Sequence, residues 1–208
     1  QAALERMCDP VAKVSAHYLI HRDGQIVQLV DESRRAWHAG VSSWRGESDM
    51  NSASIGIELD HKGHDEQGHM SLFPEVQRQA LYALLKDVID RNNLDPRHVI
   101  GHSDIAPGRK IDPGEAFDWA ELHAAGFGIW LPNVKLESVA ALPSEAPRAQ
   151  AAIRPLQKAL AAFGYLIEAD GIYGEPMHAV VAAFQRHFRP SLVNGIADAE
   201  TQSLIYAY

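Results

Sequence analysis

The sequence predicts an α/β domain, a mixed sheet with flanking helices, followed by a small C-terminal domain of three helices. Three observations carry this reading. Two β-prone runs, Val14 to Ile20 and Gln25 to Val30, surround His21-Arg22-Asp23-Gly24, which reads as a β-hairpin. Ser54 to Asp60 alternates, with Ile55, Ile57 and Leu59 on one face and Ser54, Gly56 and Glu58 on the other, as in a strand. Leu81, Leu84, Leu85 and Val88 form an apolar stripe at helical spacing behind Pro74, so a helix is expected from Pro74 to about Asn92.

The remaining elements follow in order. Residues 1–8 read as the end of a helix stopped by Asp9-Pro10. Residues 36–52, rich in Gly, Ser, Asn and Trp, read as a long loop, and loops of that length in compact domains often carry function. His61 to Ser71 is a polar loop. Val99-Ile100-Gly101-His102 is expected to be a short strand that runs into a loop with Pro107-Gly108. Asp118 is placed to cap a helix ending before Gly126. Pro132, Pro143 and Pro147 mark residues 131–148 as a linker between an N-terminal domain, 1–130, and a helical domain, 149–208. In that second domain helices are expected from Ile153 to Phe163, from Pro176 to Phe188, and after Asp198. The phrase Asp170-Gly171-Ile172 recurs as Asn194-Gly195-Ile196, a weak internal repeat.

Composition narrows the function classes. Apolar residues make up 46% of the 208 and charged residues 22%, which is ordinary for a globular protein. A net charge of −8 opposes binding to nucleic acid, which needs clustered Lys and Arg, and opposes charge-driven attachment to anionic lipid. Cys8 is the single cysteine, so no intramolecular disulfide can form, and nothing beside it in sequence would activate it as a nucleophile. No run of about 18 apolar residues reads as a transmembrane helix, and no signal-peptide pattern is present. A chain that begins at Gln1 is expected to be a processed product or a fragment.

The chemistry-bearing stretch is His102-Ser103-Asp104-Ile105-Ala106-Pro107-Gly108-Arg109-Lys110-Ile111-Asp112-Pro113-Gly114. Asp112 precedes a proline and should be extended, which points Lys110 and Asp112 the same way. A Pro-Gly turn can fold that edge back toward His102. Imidazole and carboxylate are both zinc ligands, and an ammonium beside them can offset an oxyanion. Spacing alone leaves the alternative that His102 and Asp112 are unrelated. Glu58, opposite the apolar face of its strand, is either a general base facing the cleft or a solvated glutamate. Trp37-His38-Ala39-Gly40 either lines a ligand pocket or anchors its loop to the core. Of the 11 histidines, His61, His64 and His69 share one polar loop, but their spacing matches no structural zinc pattern, and His123 lies on a predicted helix.

Val14-Ser15-Ala16-His17-Tyr18, Ala36 to Gly40, Ser54 to Glu58 and His102 to Gly114 together resemble the N-acetylmuramoyl-L-alanine amidases of the AmpD and AmiD type, the amidase/peptidoglycan-recognition fold. Gln185-Arg186-His187-Phe188-Arg189-Pro190 with Asn194-Gly195 resembles the peptidoglycan-binding domain of the AmiD branch. The resemblance implies zinc-dependent cleavage between the muramoyl lactyl group and L-alanine. It implies His102 and Asp112 as two zinc ligands, Glu58 as the residue that takes a proton from water, and Lys110 as the one that steadies the oxyanion. Trp37, His38, Ala39 and Gly40 would meet substrate. The family's first ligand is a His upstream of the Ser15-Ala16-His17-Tyr18 segment. Residues 1–13 hold no His, so the third ligand is expected upstream of Gln1. His17 is nearby, but it is not the ligand in the family pattern.

The same resemblance implies peptidoglycan and muropeptide partners, a monomer, and a periplasmic location, with anchoring to the outer membrane through a lipidated N-terminus outside this chain as a further option. The C-terminal domain is expected to raise effective concentration on the wall, so that its removal weakens wall sedimentation more than cleavage of a small muropeptide. Two alternatives stand beside the amidase reading: a non-catalytic peptidoglycan-recognition protein, and a zinc peptidase acting on stem peptides.

Overall fold

The computed structural model describes residues 2–9, 11–131, 142 and 146–208. A helix at Ala2–Cys8 (α1) precedes a hairpin of Tyr18–Ile20 (β1) and Ile26–Gln28 (β2), paired antiparallel with Leu19 opposite Val27. The turn closes as expected. The Gly24 amide donates to the His21 carbonyl at 2.9 Å, and the Asp23 carboxylate accepts from the Gln25 amide at 3.0 Å. Gly24 has φ +87°, a conformation that costs glycine nothing and other residues a good deal.

Ile57–Leu59 (β3) joins the other edge of β1 in parallel, so the sheet order is β2-β1-β3 and Glu58 lies opposite Leu19. The long segment before β3 ends in a short helix, Met50–Ala53 (α2), where a continuous loop was expected. The helix Glu75–Asn92 (α3) covers the back of the sheet. Its predicted stripe of Leu81, Leu84, Leu85 and Val88 packs with Tyr18, Ile20, Phe117 and Leu122, and Ile55, Ile57 and Leu59 lie against that cluster. Gln77, fully buried on α3, donates to the carbonyls of Ile20 and Asp60 and ties the helix to both strand ends. Asp118 caps Trp119–Ala124 (α5) by accepting from the Glu121 amide at 2.8 Å.

The expected strand at Val99–His102 is not formed. Pro96–His98 is a 3-10 turn, and His102 opens a one-turn helix, His102–Ile105 (α4). The cause is local. The Asp104 carboxylate accepts from the Gly101 amide at 2.9 Å, and the Asp104 amide donates to the Gly101 carbonyl at 3.1 Å. Such side-chain bonding to nearby backbone outcompetes the extended preference of Val99 and Ile100.

The C-terminal helices are Ala146–Phe163 (α6), Glu175–Phe188 (α7) and Ala199–Tyr206 (α8). The first starts seven residues before the expected Ile153, inside the predicted linker. Residues 132–141 and 143–145 of that linker lie outside the described residues. Asp198 caps α8 by accepting from the Thr201 amide at 2.9 Å. A second apolar cluster joins this helical domain to the first. Trp44, Met50, Ile105 and Ala106 pack among Leu156, Phe163, Val181 and Phe184. Among the described residues no helix is long and apolar enough to cross a membrane.

Candidate active site

On the front of the sheet, opposite α3, Glu58 stands beside the buried Leu19. Glu58 projects there from β3, half-buried. Burial raises its carboxyl pKa, the Asp112 charge raises it further, and His102 and Lys110 pull the other way. The charges of Asp112, His102 and Lys110 are thus all near enough to act on the Glu58 carboxyl.

His102 and Asp112 face each other, with His102 Nδ1 2.8 Å from Asp112 Oδ2. Two backbone features hold them there. His102 starts α4, and the next amide, of Ser103, donates to the Asp112 carbonyl at 2.9 Å. Burial alone would raise the Asp112 pKa, but the hydrogen bond and charge of His102, followed by Lys110, bring it below the ordinary value.

The other imidazole nitrogen, His102 Nε2, lies 3.0 Å from the Ala39 carbonyl. Asp112 and the Ala39 carbonyl are both acceptors and hold the ring between them, and Nδ1 with the Asp112 carboxylate would become two neighbouring ligand atoms once a metal displaces the Nδ1 proton. An imidazole whose far N–H is held by a backbone carbonyl is the usual setting of a metal-ligating histidine. Tetrahedral zinc with ligands at about 2.0–2.2 Å needs the donor atoms to part by only about half an ångström. The pair therefore fits two corners of a zinc site. Among the described residues no group of three His, Cys, Asp or Glu completes one.

The loop Trp37 to Gly40 forms one wall. Asn51 Oδ1 accepts from the amides of His38 and Ala39 at 2.9 and 2.8 Å, which sets the Ala39 carbonyl toward His102. Arg109 clasps the same wall by donating to the carbonyls of Ala39 and Val41. The Trp37 ring is 46% exposed, so it does not anchor the loop to the core. The His38 ring lies on Gly56, where an added Cβ would meet His38 Cγ at 2.4 Å. Burial, with repulsion from His17 next, lowers the His38 pKa to about 4.

The other histidines have separate tasks. His17 Nδ1 lies 2.9 Å from the Gly56 amide, which donates to it, and Nε2 lies 3.0 Å from the Arg34 carbonyl, so both ring nitrogens are tied inside the fold. His61 contacts the Ser71 carbonyl, His64 contacts Glu115, and His69 is near Asp65, so the three do not converge. His123 contacts the Gly128 carbonyl at 3.3 Å beside its helix.

Residues 1–115 match the model of the N-acetylmuramoyl-L-alanine amidase family, and residues 149–205 match a putative peptidoglycan binding domain. The chain belongs to the N-acetylmuramoyl-L-alanine amidase family. Similar members include N-acetylmuramoyl-L-alanine amidase AmiD of Escherichia coli, 40% identical over 205 residues that cover 94% of this chain and 73% of that protein. The 1,6-anhydro-N-acetylmuramyl-L-alanine amidase AmpD of the same organism is 49% identical over 108 residues. That match spans 52% of this chain and 56% of AmpD. The fold matches E. coli AmiD in complex with anhydro-N-acetylmuramic acid-L-Ala-D-gamma-Glu-L-Lys, with a TM-score of 0.85 at 39% identity over 99% of this chain and 82% of that one. AmpDh3 from Pseudomonas aeruginosa matches with a TM-score of 0.82 at 32% identity, over 99% and 85% of the two chains. The mixed sheet with flanking helices and the C-terminal helical domain are thus both features of this amidase's relatives.

Asn51, Arg109 and Asp104 hold the backbone around His102 and were not singled out from the sequence. Arg109 and Asp104 lie in the quoted block from His102 to Gly114. Their roles depend on partners far away in the chain, so spacing carried no signal for them.

Proposed function

We propose that this amidase hydrolyses the amide between the lactyl group of N-acetylmuramic or anhydro-N-acetylmuramic acid and L-alanine in peptidoglycan, with zinc as its metal. What supports this is the His102–Asp112 contact at 2.8 Å, with the charges of Asp112, His102 and Lys110 acting on Glu58, in a chain of this family. His102 and Asp112 would hold the ion with a third donor from outside the described residues. When bound, zinc supplies a Lewis acid that polarises a carbonyl and makes water a nucleophile near neutral pH. Glu58 takes a proton from the attacking water, and its raised pKa suits it to return that proton to the departing alanine amine. The Lys110 ammonium offsets charge that develops on the lactyl oxygen. The exposed Trp37 ring and Val41, on the loop that ends against Arg109, offer an apolar surface for sugar and stem peptide.

In this reading residues 1–130 form the amidase domain, 131–148 the linker and 149–208 the domain that binds wall polymer, in a monomer that works in the periplasm. AmiD and AmpD carry the same amidase chemistry in their names, which supports the assignment.

Glu58→Ala should lower turnover of a soluble muropeptide by at least about a hundredfold, while zinc content measured on the purified protein stays at the wild-type level. Wild-type-like rates would remove Glu58 as the base. Mass spectrometry of the products checks the bond. Release of a stem peptide with a free L-alanine amine supports the amidase, and cuts further along the stem would replace it with a peptidase.

A further inference from the structure

The side of α4 that faces away from the cleft is gripped by the helical domain. Asp104, two residues after His102, is 1% exposed, and its carboxylate faces three donors. Oδ1 accepts from the Tyr165 hydroxyl at 2.7 Å. Oδ2 accepts from the Gly101 amide at 2.9 Å and lies 2.9 Å from His187 Nδ1. Tyr165 follows α6 and His187 belongs to α7, so two of the three partners come from the C-terminal domain. Both are as buried as Asp104, at 3% and 2% exposure.

His187 is itself held firmly. Its Nε2 is 3.1 Å from the Ile129 carbonyl, and its ring stacks on Trp119 at 3.8 Å between centroids, 15° from parallel. Burial and the neighbouring carboxylate keep the Tyr165 phenol protonated, so it serves as a donor. A helix of one turn has no stability of its own, and its orientation is set by whatever grips it. Here the grip acts on Asp104, and the same turn carries His102 and binds the Asp112 carbonyl through Ser103.

We propose that Tyr165 and His187 are positioning residues for the amidase site, acting through Asp104 on α4 to set His102 against Asp112. The C-terminal domain then has a task besides holding wall polymer. This inference rests on the amidase reading for its kinetic consequence and not for its structural one.

The test uses the full chain and a soluble muramoyl tripeptide, which removes any benefit from wall binding. Tyr165→Phe should lower kcat about tenfold with KM within about twofold, because a small misplacement of reacting groups slows chemistry more than binding. Tyr208→Phe is the control for the seam itself. It also deletes one hydroxyl hydrogen bond across the domain seam, from Arg45 at 2.9 Å, but it leaves Asp104 untouched. Its kcat should stay within about twofold of wild type.

The second readout is the imidazole resonance of His102 in histidine-labelled protein. It should move in Tyr165→Phe and not in Tyr208→Phe. His187 gives an independent pair. His187→Asn keeps a donor near Nδ1 and should stay closer to wild type than His187→Gln, which places its amide near Nε2.

An unmoved His102 resonance with unchanged kcat in Tyr165→Phe would overturn the proposal, as would equal losses in Tyr165→Phe and Tyr208→Phe. If wild-type chain cleaves nothing, the amidase reading fails, and the His102 resonance alone still decides whether the domain positions α4.

Discussion

The two apolar clusters are made in different ways. The one behind the sheet is built within the N-terminal domain, from β1, β3, α3 and the Phe117–Leu122 segment. The other has no single owner. Trp44, Met50, Ile105 and Ala106, from the loops and short helices around the cleft, fill a space whose other walls are α6, α7 and α8. Trp44 meets Phe163 and Tyr165 edge to face at 5.7 and 5.1 Å. The rear of the sheet is thus closed by its own domain, and the floor beneath the loops around His102 is closed by the neighbour. A domain that supplies half of a core is part of the folded unit and not a tethered appendage.

Truncation tests this difference with the largest expected effect. Removing residues 149–208 uncovers Trp44, Met50, Ile105 and Ala106 and leaves Asp104 without two of its three donors. Each large apolar side chain returned to water costs about 1.5–3 kcal/mol, on the scale of a whole domain's stability. The sequence alone suggested that truncation would chiefly weaken wall sedimentation. The shared core changes that expectation: the shortened chain should lose its cooperative thermal transition, and turnover of a soluble muropeptide should fall with it. A shortened chain that melts cooperatively and cleaves at the full rate would show that the loops stand without their neighbour.

The front of the sheet supplies a second, smaller test, because an imidazole is half-buried there. His38 lies there on Gly56, and burial, then His17, depresses its pKa from 6.5 to about 4. The sign follows from proton linkage. Between pH 6.5 and 4 the unfolded chain binds a proton at this residue and the folded chain does not, so stability falls as pH drops through that window and levels off below it. The contribution is on the order of 2 kcal/mol once its partial exposure to solvent is allowed for. Urea unfolding at pH 7 and pH 4.5 measures it. His38→Gln should lose stability less steeply between those two values, and equal slopes for wild type and variant would show that the site is wet.

Features set by neighbours in sequence were legible from the sequence, and features set by distant partners were not. The hairpin at Asp23-Gly24, the caps at Asp118 and Asp198 and the stripe on α3 each depend on residues within a few positions, and all are present. The face on which Glu58 stands followed from alternation, since Ile57 and Leu59 had to meet α3. Val99 to His102 misled because β-branched residues suggested a strand, while Asp104 bound the Gly101 amide and turned the chain. The grip on Asp104 reaches across 61 and 83 residues to Tyr165 and His187, and no local pattern encodes such a contact. The wall of the cleft held by Asn51 and Arg109 was hidden for the same reason.

The smallest expected effect lies inside the helical domain, where the weak repeat proves to be one device built twice. Gln157, buried on α6, donates to Asp170 Oδ1 and the Ile172 carbonyl and accepts from the Gly171 amide at 2.8 Å. Gln185 on α7 donates to Asn194 Oδ1 and the Ile196 carbonyl and accepts from the Gly195 amide, also at 2.8 Å. In each loop the Asp or Asn oxygen also receives the amide two residues on, of Ile172 at 2.8 Å and of Ile196 at 2.9 Å. Only an acceptor oxygen is needed at this position, and a charge adds little on an exposed loop. Asp170→Asn should therefore move the melting temperature by about 2 °C or less, in a chain where losing one typical interaction moves it by about 2–4 °C. Its acid dependence should weaken as well. The Ile172 amide first, and Gln157 next, hold the Asp170 carboxyl below its ordinary pKa, and stability from that source is present above the ordinary value and lost as pH falls. A large drop at neutral pH would mean that the two loops are not equivalent and that Asp170 binds through its charge.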